Sequence, residues 1–275
     1  RGAVLSGPHA MPRDIAIAIA DTDHHMLGMA ALRQSVAGVD PAQVLVFSDR
    51  PEAWPGYEVL RIPTLTRIED YNRLITGGLA EHLRCGHVLV VQYDGFVLDP
   101  AQFAPLFLHY DYLGAPWPQF ADHAVGNGGF SLRSRRLVEA VAALPYDDAS
   151  EAEDLFICRR HGAALARSGL RFAPREVAAH FSVEYPLVPW PTFGFHGIFH
   201  LPGVYRHALD FLVEHLSERV LRTRSAFLLP AIAQLSPAAA LRYRARLAAL
   251  SSNPAEAPAP SVSAAFSKTL SPTAP

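Results

Sequence analysis

The chain has 275 residues, half of them hydrophobic and 18% charged, with Lys+Arg 24 against Asp+Glu 26 and a net charge of -2. That length suits one α/β domain with a sizeable core, and the near-balanced charge excludes the basic character of a phosphate-tracking nucleic-acid binder. The two cysteines, Cys85 and Cys158, lie far apart and in no CxxC spacing, which excludes a disulfide framework and fits a reducing cytoplasm.

Residues 1–12 show no periodicity and are expected to be disordered or foreign to the fold, without the pattern of a secretion signal. Asp14 to Ala20 (DIAIAIA) predicts a short buried strand, Met26 to Val36 a helix, and Gln43 to Phe47 a second buried strand. Glu58 to Ile62 predicts a third strand. Ile68 to Leu83 has helical spacing with Leu74, Ile75, Leu79 and Leu83 inward, and His87 to Val91 is a central strand. Strands that alternate with helices and are apolar on both faces indicate an α/β fold with a mainly parallel sheet flanked by helices. Ligands of such sheets sit beyond the carboxyl ends of the strands. There the sequence places Asp21-Thr22-Asp23, Ser48-Asp49 and Gln92-Tyr93-Asp94.

Helices are expected again from Ser134 to Leu144 and around Glu153 to Ser168, followed by an aromatic, proline-rich stretch from Phe181 to Gly197. Residues 204–250 form a helical extension in which Arg219, Arg222, Arg224, Arg242, Arg244 and Arg246 occur among apolar residues. Two readings stand: amphipathic helices with solvated Arg faces, or a surface that approaches an anionic membrane or glycolipid. No apolar run reaches the ~18–20 residues needed to cross a bilayer. The Ala/Pro/Ser composition of residues 251–275 predicts a disordered tail.

Four constellations can carry chemistry. Asp94, after a hydrophobic strand, can hold a hard divalent ion or merely cap a turn, and Gly95 beside it lets the backbone approach a ligand. Gly126-Asn127-Gly128-Gly129 implies a backbone that bends sharply or lies against a substrate, and it matches neither GxxxxGK[ST] nor GxGxxG. Glu153-Asp154 before an apolar run is either an ordinary helix start or a general base at the mouth of a site. His196, between Gly194-Phe195 and Gly197, can act as a metal ligand alongside a carboxylate, whereas His24, His25 and His200 are weaker candidates for which a structural or surface reading is preferred. Trp117, Phe120, Tyr185, Trp190 and Phe193 can form an aromatic platform for a sugar acceptor, or core.

In order along the chain, YNRLI, VLVVQYDGFVL, YDYLGAPW, VGNGGFSLRS, EDLFIC, FSVEY and FGFHG resemble the DUF5672 family, which is regarded as glycosyltransferase-like with a GT-A type fold. The resemblance runs from about Asp14 to His200 and makes residues 13–203 a single GT-A-like domain. It implies a nucleotide-sugar donor, with a UDP-sugar favoured, a carbohydrate or glycolipid acceptor, and Mn2+ or Mg2+ held by Asp94 and His196. Asp21 and Thr22 would lie near the nucleotide base, Tyr71 and Asn72 would support the donor or metal site, and Gln92, Tyr93, Gly95, Asn127, Gly128 and Gly129 would border the donor. Asp154, with Glu153 beside it, would supply the base of an inverting reaction, and Trp117, Trp190 and Phe193 would meet the acceptor. The acidic motif of such enzymes is usually Asp-any-Asp, and here Gln92 replaces the first carboxylate. A non-catalytic sugar-binding scaffold is the competing reading. A nucleotidyltransferase is disfavoured because residues 14–25 contain no Lys or Arg for a triphosphate.

Overall fold

The computed structural model describes residues 14–122, 124–147, 151–184 and 191–252. Trp190, Tyr185, the N-terminal segment 1–12 and the tail beyond residue 252 lie outside these described residues.

A six-stranded sheet forms the centre, in the order β3-β2-β1-β4-β7-β6. Strands β1 (Ile15–Ala20), β2 (Gln43–Ser48), β3 (Val59–Arg61) and β4 (His87–Val91) run parallel, with Ile17 level with Val44 on one side and Leu89 on the other. β1 alternates large and small side chains, and the two faces fill differently. Ile15, Ile17 and Ile19 enter a core with Leu89, Val91 and Trp54, while Ala16 and Ala18 lie with Leu45, Phe47, Leu79 and Leu83 on the other face.

The sheet is α/β and mainly parallel, as the apolar runs imply, but its far edge is antiparallel. β7 (Ser131–Ser134) runs against β4, and β6 (Tyr112–Leu113) runs against β7. A second sheet, β5-β9-β8, joins Gly95–Val97 (β5), Ser182–Val183 (β8) and Gly194–His196 (β9). Strands of two to four residues leave too few positions for a period-2 pattern, so none of these five was visible as alternation.

Helix α1 spans His25–Val39. The predicted helix 68–83 is present as α2 (Ile68–Arg73), a π turn (Leu74–Gly78) and α3 (Leu79–His82). α4 (Arg135–Ala142) starts where Ser134 Oγ accepts from Leu137 N at 3.1 Å. The next predicted helix is α5 (Glu153–Leu155), a π turn (Phe156–Arg160) and α6 (Gly162–Arg167), with α7 at Arg175–Phe181. The C-terminal part contains α8 (Leu201–Val204), α9 (Leu209–His215), α10 (Glu218–Leu235) and α11 (Pro237–Ser252).

These last helices share a core with the body. Leu212, Leu221, Leu228, Ile232 and Tyr243 cluster with Leu27 and Ala31 of α1 and with Phe96 and Phe195 of the small sheet. Four of the six arginines here serve that packing. Arg219 pairs with Asp23 at 3.1 Å, Arg242 with Asp210, and Arg222 donates to Leu250 O at 2.6 Å. Arg246 donates to the carbonyls of Val213, Glu214 and Leu216, which close the end of α9. Among the described residues no helix is long and apolar enough to cross a membrane.

Because Arg246 Nη1 satisfies three carbonyls at a helix end, Arg246→Met is expected to lower stability by about 1.5–3 kcal/mol, the usual range for hydrogen bonds to a charged group. Denaturant unfolding measures it, and an unchanged midpoint would show that solvent replaces the arginine without cost.

Candidate active site

Three strand exits open on one rim because β1, β2 and β4 are parallel. At the β1 exit, Asp21 Oδ1 accepts from the backbone N–H of Asp23 at 2.8 Å and of His24 at 2.7 Å. Its Oδ2 is buried without a hydrogen-bond partner among the described residues. Thr22 Oγ1 accepts from Leu65 N at 2.9 Å, so this side chain pins the connection after β3. At the β2 exit, Asp49 meets His25 at 2.9 Å and Thr64 at 2.8 Å. Burial works against the Asp49 carboxylate, but Thr64 and His25 outweigh it and hold its pKa below the ordinary value. A cavity of about 660 Å³ lies there, lined by Asp49, Arg50, Glu52, Arg61, Ile62, Pro63 and Thr64.

The β4 exit is a tight turn in which Gln92 and Gly95 exchange backbone hydrogen bonds of 2.7 and 3.1 Å. The turn holds Asp94 8% exposed, with Oδ1 lacking a partner among the described residues. Burial raises its pKa, opposed by His196 and His24. Tyr93 stacks on His24, with ring centroids 3.8 Å apart and planes 8° from parallel.

β9 pairs His196 with Gly95 across the small sheet, which brings a residue a hundred positions away to the β4 exit. His196 Nε2 lies 3.3 Å from Gln92 Oε1, and Nδ1 lies 3.5 Å from Glu184 Oε1. Gln92 Nε2 in turn donates to the Tyr71 hydroxyl at 2.6 Å. Burial disfavours the imidazolium, but Glu184, Asp94 and Asp154 prevail and raise the His196 pKa to about 9. Burial, reinforced by the Glu153 charge, pushes the Tyr71 phenol above its usual range.

The glycine segment crosses the same place. Asn127 takes a left-handed φ of 65°, which asparagine tolerates better than most residues. The backbone then lies so close to its neighbours that a Cβ on Gly128 would sit 1.5 Å from Glu153 Oε1, and one on Gly129 2.2 Å from His196 Nε2. Gly128 O accepts from Ser131 Oγ at 3.0 Å and Arg133 Nη2 at 3.3 Å.

Beneath the segment, Arg133 (1% exposed) pairs with Glu153 (4% exposed) at 2.9 Å. The Arg133 guanidinium also lies over the Tyr112 ring, 5.4 Å from its centroid. Glu153 is thereby the counter-ion of Arg133, and Asp154 follows it at the start of α5. Asp154 Oδ2 accepts from Gly128 N at 3.2 Å and Oδ1 from Leu155 N at 2.8 Å. Burial, then repulsion from Glu153, raises its pKa to about 7 despite those bonds. Asn72, also buried, donates to Glu151 O at 2.9 Å and fixes the approach to α5.

Tyr71, Gln92, Asp94, Gly95, Asn127, Gly128, Gly129, Glu153, Asp154 and His196 thus come together, and Asp21 and Tyr93 border them. Two expected acceptor residues do not. Trp117 is buried, and its ring abuts Gly126, where a Cβ would lie 2.0 Å from it. Phe193 is buried among Phe103, Phe107, Phe130 and Phe181. Neither ring presents a face to a sugar, and both are core. Glu184 and Arg133 are not singled out as site residues by sequence, and His24 is only a weaker candidate for which a structural or surface reading is preferred. Glu184 lies within FSVEY and Arg133 within SLRS, but the chemistry of each depends on a partner distant in the chain.

The chain belongs to the DUF5672 family, whose profile, described as a protein of unknown function, matches residues 56–196. No curated protein matches it. Among 178 similar chains of known structure is the mannosyltransferase PcManGT from Pyrobaculum calidifontis, in complex with GDP-Man and Mn2+. It is 15% identical, with a TM-score of 0.45, over 98% of this chain and 82% of that one.

Removing one member of a buried ion pair leaves the other uncompensated. Arg133→Met is expected to cost about 3–5 kcal/mol, and the double variant Arg133→Met/Glu153→Gln less. Denaturant unfolding of both decides it; equal losses would mean that the pair is not coupled.

Proposed function

We propose that the chain is a glycosyltransferase that moves a sugar from a nucleotide-sugar donor to a hydroxyl acceptor with inversion. The observation that carries this reading is Asp154, a buried carboxylate with a pKa near 7, held by the glycine segment within electrostatic reach of His196. Such a group is ionised often enough near neutral pH, and basic enough, to take a proton from an acceptor hydroxyl as that oxygen attacks the anomeric carbon. The Arg133–Glu153 pair acts through Asp154 by fixing the start of α5 and the path of Gly128. Backbone approach at Gly128 and Gly129 supports a donor sugar lying along this segment. The cavity beyond β2 and β3, lined by Asp49, Arg61 and Thr64, is a suitable place for the nucleoside end.

Asp94 fits a divalent cation in kind, since a buried carboxylate oxygen without a hydrogen-bond partner is costly and a hard cation would relieve it. Among the described residues no three His, Cys, Asp or Glu side chains gather into a metal-holding group. Asp94 would therefore hold Mn2+ or Mg2+ with oxygens of the diphosphate and water, and His196 would join as a neutral imidazole. Once bound, the ion would supply positive charge against the diphosphate leaving group. Gln92 and Glu184 face the two nitrogens of the His196 ring, so an ion bound there would displace one of these contacts while the other orients the ring. The acceptor, a carbohydrate or glycolipid, approaches from the Asp154 side.

Asp154→Asn is expected to leave nucleotide-sugar binding nearly intact while turnover falls by ~10²–10⁴, the usual scale for a general base. The wild-type rate should rise with pH through about 7, as Asp154 loses its proton, and the variant should lack that rise. Unchanged turnover removes Asp154 from the mechanism. Absence of even slow donor hydrolysis by the wild type favours the binding scaffold.

Metal binding would be linked to the His196 proton. Mn2+ should tighten as pH rises towards about 9, because below that value the proton competes with the ion. His196→Ala should weaken Mn2+-dependent donor binding and flatten the pH trend, as read by thermal shift across a panel of UDP- and GDP-sugars. A donor-induced shift that chelator does not change would remove the cation from this reading.

A further inference from the structure

The C-terminal hairpin carries an unusual stretch. From Ser225 to Leu241, across the second half of α10 and the first turn of α11, the sequence contains no charged side chain. Three of the five large hydrophobic side chains that stand exposed among the described residues are here: Phe227 at 42%, Leu235 at 49% and Leu241 at 63%. Phe227 and Leu235 are eight residues apart and so share a face of α10, with Ala226, Pro230 and Gln234 also exposed along the helix.

Charge brackets this apolar elbow. Arg224 precedes it and Arg242 and Arg244 follow it, and residues 204–252 hold seven arginines against three acidic residues in a chain whose net charge is -2. Arg244 is exposed, and Arg242 remains 59% exposed beside Asp210. An uncharged helical tip with cationic residues at its margins matches the boundary between anionic headgroups and acyl chains.

The root of the same helix touches the candidate site. Arg219 binds Asp23 at the β1 exit, and Phe227 packs on Phe199 with ring centroids 5.5 Å apart. Phe199 follows His196 by three residues, across Gly197 at φ 116°.

We propose that the α10–α11 elbow is a docking surface for an anionic lipid bilayer, lying in its interface without crossing it. Resting on the transfer reading above, this also makes the acceptor a lipid or a lipid-linked sugar, because the docked face adjoins the His196 loop.

Flotation of the full chain with phosphatidylcholine vesicles, with and without phosphatidylglycerol, tests the docking. The wild type should float with the anionic vesicles and much less with phosphatidylcholine alone. Phe227→Asp/Leu235→Asp should reduce bound protein at least about tenfold, since burying each of these side chains contributes the binding energy. Leu241→Asp, at the most exposed position, provides a variant whose fold is not at risk, and Arg244→Glu should weaken flotation at low salt and leave the residual binding less sensitive to salt. Unfolding midpoints and donor binding should stay unchanged in Leu241→Asp and Arg244→Glu, whose side chains stand away from the Phe199 contact made by Phe227. The proposal falls if the wild type floats with neither vesicle or if the tip variants float equally well. It falls also if the wild type is a dimer by size exclusion that the double variant splits, because the elbow would then serve a second copy. Donor hydrolysis in the same samples separates the two readings: a chain that floats but never consumes donor keeps the docking surface and loses the lipid acceptor.

Discussion

The arrangement of the site depends on one buried ion pair, Arg133 with Glu153. Both groups are almost wholly withdrawn from water, so each would be costly alone and each fixes the other's backbone. Arg133 belongs to β7, and Glu153 opens α5. The pair therefore ties the antiparallel edge of the sheet to the helix that carries Asp154. Gly128 must be glycine because the carboxylate of Glu153 occupies the space of its Cβ. The same negative charge disfavours a second one on Asp154 and helps raise its pKa. One contact thus shapes a loop, a helix start and the proton affinity of a neighbouring acid.

The second constraint is the small sheet. β5 follows the Gln92–Gly95 turn directly, and β9 pairs with it, so His196 is placed at the β4 exit by backbone hydrogen bonds rather than by side-chain packing. Glu184, one residue past β8, arrives through the same three strands. From the other side, α10 reaches the rim through Arg219 and shares a core with Phe96 and Phe195. The C-terminal helices are accordingly a support of the site and not a separate appendage.

Much of this was legible from the chain alone where the physical signal is long. Ile15 to Ala20, Gln43 to Ser48 and His87 to Val91 are buried on both faces, and their continuous apolar runs declared the parallel sheet. The polar residues at their ends then followed from direction alone. Strands of two to four residues carry no such period, so the β5-β9-β8 sheet and the antiparallel edge were not visible. Trp117 and Phe193 misled for a related reason. An aromatic residue beside proline and glycine looks the same whether it lines a groove or fills a core, and only the neighbouring Gly126 and the phenylalanine cluster decide. Arg133 and Glu184 were unreadable as site residues because an ion pair between positions 20 apart, or a His–Glu pair across a sheet, leaves no local pattern.

Gln92 gains the most from the structure. By sequence it is a missing carboxylate in the expected acidic motif. In the fold its amide donates to Tyr71 and presents its oxygen to His196. A carboxylate at that position could accept from both partners but donate to neither, so the Tyr71 hydroxyl would have to reverse its role. It would also add a further negative charge to a site that already contains Asp94, Glu153, Asp154 and Glu184. Burial already raises the pKa of Asp94 and Asp154, with Asp21 adding repulsion at the first and Glu153 and Glu184 at the second, and another charge would raise them further. A neutral amide keeps the hydrogen-bond chain from Tyr71 to Glu184 intact while leaving Asp154 able to lose its proton near neutral pH. The substitution that weakens the metal motif is thus the one that keeps the proposed base within working range.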